Sequence, residues 1–84
     1  MYQNKNQNAT LFIIFGLRFF FYADEHLPIH VHVENADGRA KFLVHPNVEI
    51  VSNKGMKPLS LKRARAIIIE RQVEIISKWH EFHG

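Results

Sequence analysis

Three histidines in one short region are the residues of this sequence best suited to chemistry. His30 and His32 lie two residues apart in the run from Pro28 to Glu34, and His45 follows the next apolar segment. Because side chains alternate between the two faces of a strand, His30 and His32 would share one face. Imidazole changes its charge near neutral pH and is a common metal ligand, so this pair is suited to proton transfer or to metal binding.

Three interpretations of these histidines remain open from the residues alone. In the first, His30, His32 and His45 bind a divalent transition metal ion. In the second, the histidines transfer protons, as RNA cleavage requires, while Arg39 and Lys41 hold a phosphate group. In the third, they are surface or interface residues that form hydrogen bonds and catalyse nothing.

The histidine-bearing segment is predicted to form a β-hairpin. Asp37 and Gly38 lie between two alternating apolar segments, a pattern typical of a two-residue turn. In that register Glu34 lies opposite Lys41, and His30 lies opposite His45. One face of the hairpin would then be wholly apolar and would pack in the core, through Ile29, Val31, Val33, Ala40, Phe42 and Val44.

The residues before the hairpin predict a tail and two further strands. Residues 1–10 are rich in Asn and Gln and have no apolar periodicity, which predicts a disordered tail. Aromatic and β-branched residues at 11–15 and 18–22 predict two strands, joined by a type II′ turn at Gly16 and Leu17. Residues 11–84 should form a single domain.

The last third of the chain has helical periodicity from Pro58 to about Phe82. The expected fold is therefore α+β, an antiparallel β-meander of four to five short strands followed by one long C-terminal helix packed on the sheet. Ile69, Val73 and Ile76 widen the apolar arc beyond what one sheet requires. With Trp79 they predict an interface, and a short chain without cysteine suggests a homo- or hetero-oligomer.

Positive charge is concentrated in the middle of a chain whose formal net charge is +3. A basic zone can bind nucleic acid, either RNA or DNA, or an acidic protein partner, and its candidate residues are Arg39, Lys54, Lys57, Arg63 and Arg65. The most apolar run, residues 11–22, is interrupted by Arg18 and is shorter than the ~20 residues that a membrane span needs. No membrane association is expected, and the absence of cysteine is compatible with the cytoplasm.

Several motifs together resemble a family of small bacterial proteins known as domain of unknown function 4160. The resemblance covers about residues 11–83, and the matching positions are Arg18, Phe19, Phe21, Tyr22, Pro28, His30, His32, Lys41 and Trp79. The chain departs from the family pattern in its Asn/Gln-rich tail, and at Leu43, His45 and Lys57. The departure at His45 weakens a three-histidine metal site as a mechanism for the family.

The resemblance implies the toxin-like member of a two-gene type II toxin–antitoxin module, neutralised by a cognate antitoxin. Whether it is an enzyme stays open. If it is, metal-independent acid–base chemistry by His30 and His32 is favoured, with Lys41 contacting a phosphate. Tyr22 and Arg18 would assist if their strand lies beside the hairpin. The alternative is a non-catalytic regulatory module that binds nucleic acid or protein.

Overall fold

Five consecutive strands form one antiparallel sheet in the computed structural model, which describes residues 7–84. Each strand pairs with the next along the chain, so the order in the sheet is β1-β2-β3-β4-β5 and the topology is the predicted meander. The strands are β1 (Asn8–Ile14), β2 (Leu17–Tyr22), β3 (His30–Glu34), β4 (Arg39–Leu43) and β5 (Glu49–Lys54).

The first hairpin differs from its prediction at both ends. β1 begins at Asn8, so the predicted tail is wrong for residues 8–10, while its residues 1–6 lie outside the described part of the chain. Ile14 lies opposite Leu17, which makes Phe15 and Gly16 the turn residues. Both have positive φ, 54° and 73°, which is typical of a type I′ turn and not of the predicted type II′ turn.

The second hairpin keeps the predicted faces, but its register is displaced by two residues. Glu34 lies opposite Arg39 and His30 opposite Leu43, so the loop has four residues, 35–38, and not two. Asn35 stabilises this longer loop, because its Oδ1 accepts hydrogen bonds from the N–H groups of Asp37 (2.9 Å) and Gly38 (3.1 Å). A shift of two leaves every side chain on its predicted face.

The apolar face of the sheet forms the core with the helices. The buried set on the strands includes Phe19, Phe21, Val31, Val33, Ala40 and Phe42, and the helices add Ala64, Ile68, Ile75 and Trp79. Complete burial of one large apolar side chain contributes about 1.5–3 kcal/mol, so burial of this face strongly stabilises the fold. The prediction of an apolar core face on the hairpin is confirmed.

Two helices follow the sheet, α1 (Pro58–Glu70) and α2 (Gln72–His83), so the α+β class is confirmed and the single long helix is wrong. The axis breaks at Arg71, whose ψ of 21° lies far from the helical value near −42°. Just after the break, Gln72 Nε2 donates a hydrogen bond to the Val44 carbonyl oxygen (2.7 Å). This contact ties the start of α2 to the end of β4. Within residues 7–84, neither helix is both long and apolar enough to cross a membrane.

Candidate active site

The polar face of the sheet carries the candidate site. Strands β2, β3 and β4 alternate, so the side chains that do not enter the core project together on the opposite face. Phe20 lies beneath them with no exposed surface, stacked on His32 with 5.4 Å between ring centroids. This buried ring gives the polar residues around it a rigid apolar base.

Glu25, His30 and His32 form a compact cluster at one end of this face. Glu25 Oε2 lies 2.6 Å from His30 Nε2 and 2.5 Å from His32 Nε2, so one carboxylate oxygen contacts both imidazoles. The three side chains are only 12%, 9% and 12% exposed, respectively. Such short contacts in a largely buried place make the three residues one coupled unit.

His30 has no ring nitrogen left for a substrate. Its Nδ1 donates a hydrogen bond to the Pro28 carbonyl oxygen (2.8 Å), while its Nε2 contacts Glu25. The ring also packs against Trp79 of α2, with 5.3 Å between the centroids. His30 therefore holds Glu25 in place and links the polar cluster to the core.

Glu25 is held as a carboxylate. Burial alone would raise the pKa of the Glu25 carboxyl, but hydrogen bonds from His30, His32 and the Tyr22 backbone N–H outweigh burial and hold that pKa well below its usual range. The Tyr22 N–H donates to Oε1 over 2.8 Å, which leaves Oε2 for the histidines. The carboxylate thus orients the ring of His32, as an acid residue orients histidine in many acid–base sites.

Beside the cluster lies an open cleft of about 180 Å³, lined by Tyr22, His32, Arg39, Ala40, Lys41, Ser52 and Lys54. The rings of Tyr22 and His32 meet edge to face in its wall, with their centroids 4.7 Å apart. Among the described residues, His32 Nδ1 has no hydrogen-bond partner. This nitrogen is not fully buried, because a fully buried side-chain nitrogen without a partner is found there only in Arg71. Of the two histidines of β3, His32 is therefore the one that can meet a ligand in the cleft.

The cleft is strongly cationic. Arg39 of β4 lies directly opposite Lys54 of β5, an arrangement of like charges that is unfavourable unless an anion lies nearby. Arg39 is partly neutralised by Glu34, 3.1 Å away, and it donates a hydrogen bond to the Tyr22 hydroxyl (2.8 Å). Within residues 7–84, Lys41 and Lys54 have no ion pair. The cleft is thus suited to a phosphate or another compact anion.

Arg18, like His30, is a predicted catalytic residue that does not line the cleft. Its Nε donates to Glu34 Oε2 (2.9 Å), one of its terminal nitrogens donates to Thr10 (2.7 Å), and its guanidinium lies 4.0 Å from the Phe20 ring centroid. These contacts give Arg18 a structural part beside the site. Tyr22, His32 and Lys41 are brought together in the cleft, and His30 stands behind them.

The third member of the histidine cluster is a residue that the sequence analysis missed. His45 is exposed and lies beyond the end of β4, so the metal set of His30, His32 and His45 is wrong, and Glu25 takes the third place. Glu25 belongs to the polar loop between β2 and β3. The position of Glu25 shortly before the two histidines in the sequence was a possible signal that it joins them. However, residue spacing cannot predict where the side chain of a loop residue lies relative to a strand.

The other predicted binding residues lie outside the cleft. Lys57 directly precedes α1, Arg63 is exposed on α1, and Arg65 donates a hydrogen bond to the Val48 carbonyl oxygen (3.2 Å). Of the five basic residues predicted to bind nucleic acid or a partner, only Arg39 and Lys54 line the cleft.

The predicted interface residues divide between surface and core. Ile69 is 47% exposed and Val73 82% exposed, as an interface requires, whereas Ile76 packs against the core. Trp79 is only 3% exposed and contacts Phe21 and His30 inside the protomer. Of the four predicted interface residues, only Ile69 and Val73 are exposed.

Comparison with known families gives one match. The family described as Domain of unknown function (DUF4160) matches residues 16–80, which include β2 to β5, α1 and most of α2. No curated protein and no solved structure matches the chain. The matched range includes Glu25, His30, His32 and every residue that lines the cleft.

Proposed function

The chain belongs to the Domain of unknown function (DUF4160) family, and we propose that it is the toxin-like component of a bacterial two-gene module that cleaves RNA in the cationic cleft. One observation carries the proposal. The Glu25 carboxylate holds His32 through Nε2, Nδ1 has no hydrogen-bond partner among the described residues, and the side chain lines a cleft that contains Arg39, Lys41 and Lys54. RNA cleavage needs a group that transfers protons and cations that stabilise the charged phosphate, and an oriented imidazole beside an anion site provides both.

The reaction proposed for this site needs no metal ion. Because the Glu25 carboxylate only accepts hydrogen bonds, His32 Nε2 carries the hydrogen, and neutral His32 presents the lone pair of Nδ1 to the cleft. Nδ1 takes the proton of a ribose 2′-hydroxyl while the 2′-oxygen bonds to the adjacent phosphorus. The bond from phosphorus to the 5′-oxygen breaks, and that oxygen takes a proton from the Lys41 ammonium group. The products are a 2′,3′-cyclic phosphate and a 5′-hydroxyl.

The remaining cleft residues hold the phosphate during this reaction. Lys54 and Arg39 approach from neighbouring strands and offset the charge that develops on the phosphoryl oxygens. The Tyr22 hydroxyl accepts a hydrogen bond from Arg39, so its own hydrogen is free to reach a phosphate or ribose oxygen. His30 acts only through Glu25 and is a positioning residue in this scheme.

A cytoplasmic antitoxin is the proposed partner. Its binding would cover the apolar surface of Ile69 and Val73, which the fold leaves exposed on the helices. An acidic antitoxin segment could also enter the cationic cleft and exclude RNA from it. Either contact explains how a small folded ribonuclease could be kept inactive.

A non-catalytic binding module is the second candidate, and the edge of the sheet favours it. All six residues of β5 are exposed, and its outer edge has no partner strand among the described residues. An exposed strand edge can pair with an extended segment of another protein. In this case Lys54 would serve binding alone, and His32 would have no chemical part.

Induced expression in a bacterial host tests the proposal. Wild type should arrest growth, His32→Ala should abolish the arrest, and His45→Ala, at an exposed histidine outside the cluster, should leave it unchanged. Circular dichroism and soluble yield must show that each variant is folded. Growth arrest by folded His32→Ala, or no arrest by wild type, would overturn the proposal and make the binding module the leading account.

A further inference from the structure

We propose that Glu25, His30 and His32 form a binding site for a divalent transition metal ion, with Zn²⁺ the best-suited ion. The three ligand atoms are Glu25 Oε2 and the two Nε2 atoms, and they all lie within 4.8 Å of one another. The site goes beyond the proposed function and stands whether or not the cleft cleaves RNA.

The hydrogen-bond partners of His30 argue for a cation in the cluster. Its Nδ1 faces the Pro28 carbonyl oxygen, which only accepts hydrogen bonds, so Nδ1 carries a hydrogen. In neutral imidazole the lone pair is then on Nε2, which points at Glu25 Oε2 from 2.6 Å. A lone pair and a carboxylate attract each other only when a cation lies between them, either a proton or a metal ion.

The partners around the cluster also match those of known metal sites. A metal-binding histidine usually donates its other N–H to a carbonyl or carboxylate, which fixes the tautomer and the ring orientation, and His30 does this through Pro28. The second oxygen of Glu25 is held by the Tyr22 N–H. Ligands oriented in this way lose little conformational freedom when an ion binds.

Only a small movement is needed to admit the ion. Ligand atoms about 2.0–2.2 Å from a tetrahedral metal lie roughly 3.4 Å apart. Glu25 Oε2 must therefore retreat from both histidines by less than about 1 Å, and the two Nε2 atoms, which lie within 4.8 Å of each other, must approach one another. Glu25 can move because it belongs to the loop between β2 and β3. The imidazoles of His30 and His32 can approach each other by rotation about their side-chain bonds, while strand pairing holds their backbones in place. The movement leaves the sheet unchanged.

The donor set selects the class of ion. Two imidazoles and one carboxylate suit Zn²⁺ and neighbouring first-row ions, whereas Mg²⁺ and Ca²⁺ prefer oxygen ligands alone. Three protein ligands leave a coordination position for water or another small ligand.

Metal binding would also regulate the cleft, and this consequence alone rests on the proposed function. A metal ion on His32 Nε2 displaces the hydrogen to Nδ1, so the nitrogen with access to the cleft becomes a donor and can no longer accept a proton. Zn²⁺ would therefore inhibit the metal-independent cleavage of RNA while leaving the cationic residues free to bind it.

Calorimetric titration of the full chain with Zn²⁺, after removal of metal by a chelator, tests the site. Wild type should bind one ion per chain. Glu25→Gln and His32→Ala should weaken binding at least tenfold, in the range typical of altered metal ligands and their partners. His45→Ala and His26→Ala, which alter exposed histidines, should bind as wild type does. Equal weakening in these controls would mean that surface histidines bind the ion, which would overturn the proposal.

A second measurement uses the unaltered chain, so it does not depend on the folding of variants. During the Zn²⁺ titration, the NMR signals of the His30 and His32 ring protons should shift and saturate at one equivalent, before those of His26 and His45. Shifts confined to exposed histidines, or no shift at all, would overturn the proposal. Zn²⁺ binding by an inactive wild type would still support the site, so its outcome is separate from that of the proposed function.

Discussion

The two faces of the sheet use the same alternation of residues for opposite purposes. On the covered face, Phe19, Val31 and Phe42 are almost completely buried and belong to one apolar cluster. On the polar face, Glu25, His30 and His32 are also mostly buried, but they are joined by directed hydrogen bonds. Burial on the first face stabilises the fold, whereas burial on the second face orients one imidazole toward a cleft. Substitutions on the two faces should therefore change different properties.

The largest effect on stability is expected on the covered face. Phe42→Ala should lower the free energy of unfolding by about 3–5 kcal/mol, because it leaves a cavity in the apolar core. Phe82→Ala is the matched control, since Phe82 is 38% exposed and should cost much less. Urea unfolding followed by circular dichroism measures both. Equal losses in the two variants would contradict the assignment of the core to this face.

Gly38 lies in the loop between β3 and β4, and its substitution should have the next largest effect on stability. A Cβ at this position would clash with the Lys54 carbonyl oxygen, so the loop must separate from the end of β5. Gly38→Ala should destabilise the protein by about 2–4 kcal/mol. Gly16→Ala meets no atom within 4 Å and should cost only about 1–2 kcal/mol for its positive φ. The same unfolding assay compares them, and a larger loss for Gly16→Ala would contradict the close approach.

A smaller and pH-dependent effect is expected from Glu34. Its hydrogen bond from Arg18, helped by the charges of Arg18 and Arg39, outweighs burial and lowers the pKa of the Glu34 carboxyl. Because the pKa of Glu34 is lower in the folded than in the unfolded chain, its carboxylate stabilises the fold at every pH above the unfolded-state pKa. That contribution disappears as the pH falls through the folded-state pKa. Glu34→Gln should cost at most about 1 kcal/mol at pH 7 because the pair is partly exposed. Thermal unfolding from pH 7 to pH 3 should show a smaller difference from wild type at the acid end. A constant difference would contradict the ion pair.

The smallest effect on stability, with a clear effect on binding, is expected at Lys54. Because Lys54 faces Arg39 across the strands, Lys54→Ala should change the free energy of unfolding by no more than about 0.5 kcal/mol and should tend to raise it. It should also weaken RNA binding and reduce its salt dependence. Fluorescence anisotropy with a short labelled RNA, at several salt concentrations, checks this. Lys57→Ala, outside the cleft, is the control, and an equal loss of binding in that variant would contradict the assignment.

The alternation of residues predicted most of the sheet and both of its faces. The alternation could not predict the length of the second hairpin loop. Asn35 forms side-chain hydrogen bonds that favour a loop of four residues over a turn of two residues. Nor could periodicity detect the break between the helices. The backbone hydrogen bonds from Arg71 N–H to Ile67 (3.0 Å) and from Ile75 N–H to Arg71 (2.9 Å) continue past it, and neither Pro nor Gly marks it.

The sequence predicted the strand residues of the candidate site but not the loop residue that completes it. His32, Lys41 and Tyr22 occupy alternating positions on strands, so their common face follows from local geometry. Glu25 lies in an irregular loop and reaches the histidines only because the chain folds back between β2 and β3. The difference between His30 and His32 depends on Pro28 and Trp79, whose contacts no local pattern gives.

The central claim is that His32, and not His30, performs chemistry in the cleft, and RNA cleavage by the purified protein tests it most directly. Wild type and His32→Ala would be incubated with RNA in the presence of a chelator, and the new ends would be identified. The account predicts 2′,3′-cyclic phosphate and 5′-hydroxyl ends from wild type. It also predicts a rate at least about 10²-fold lower for folded His32→Ala. No cleavage by wild type, or equal cleavage by the two proteins, would contradict it.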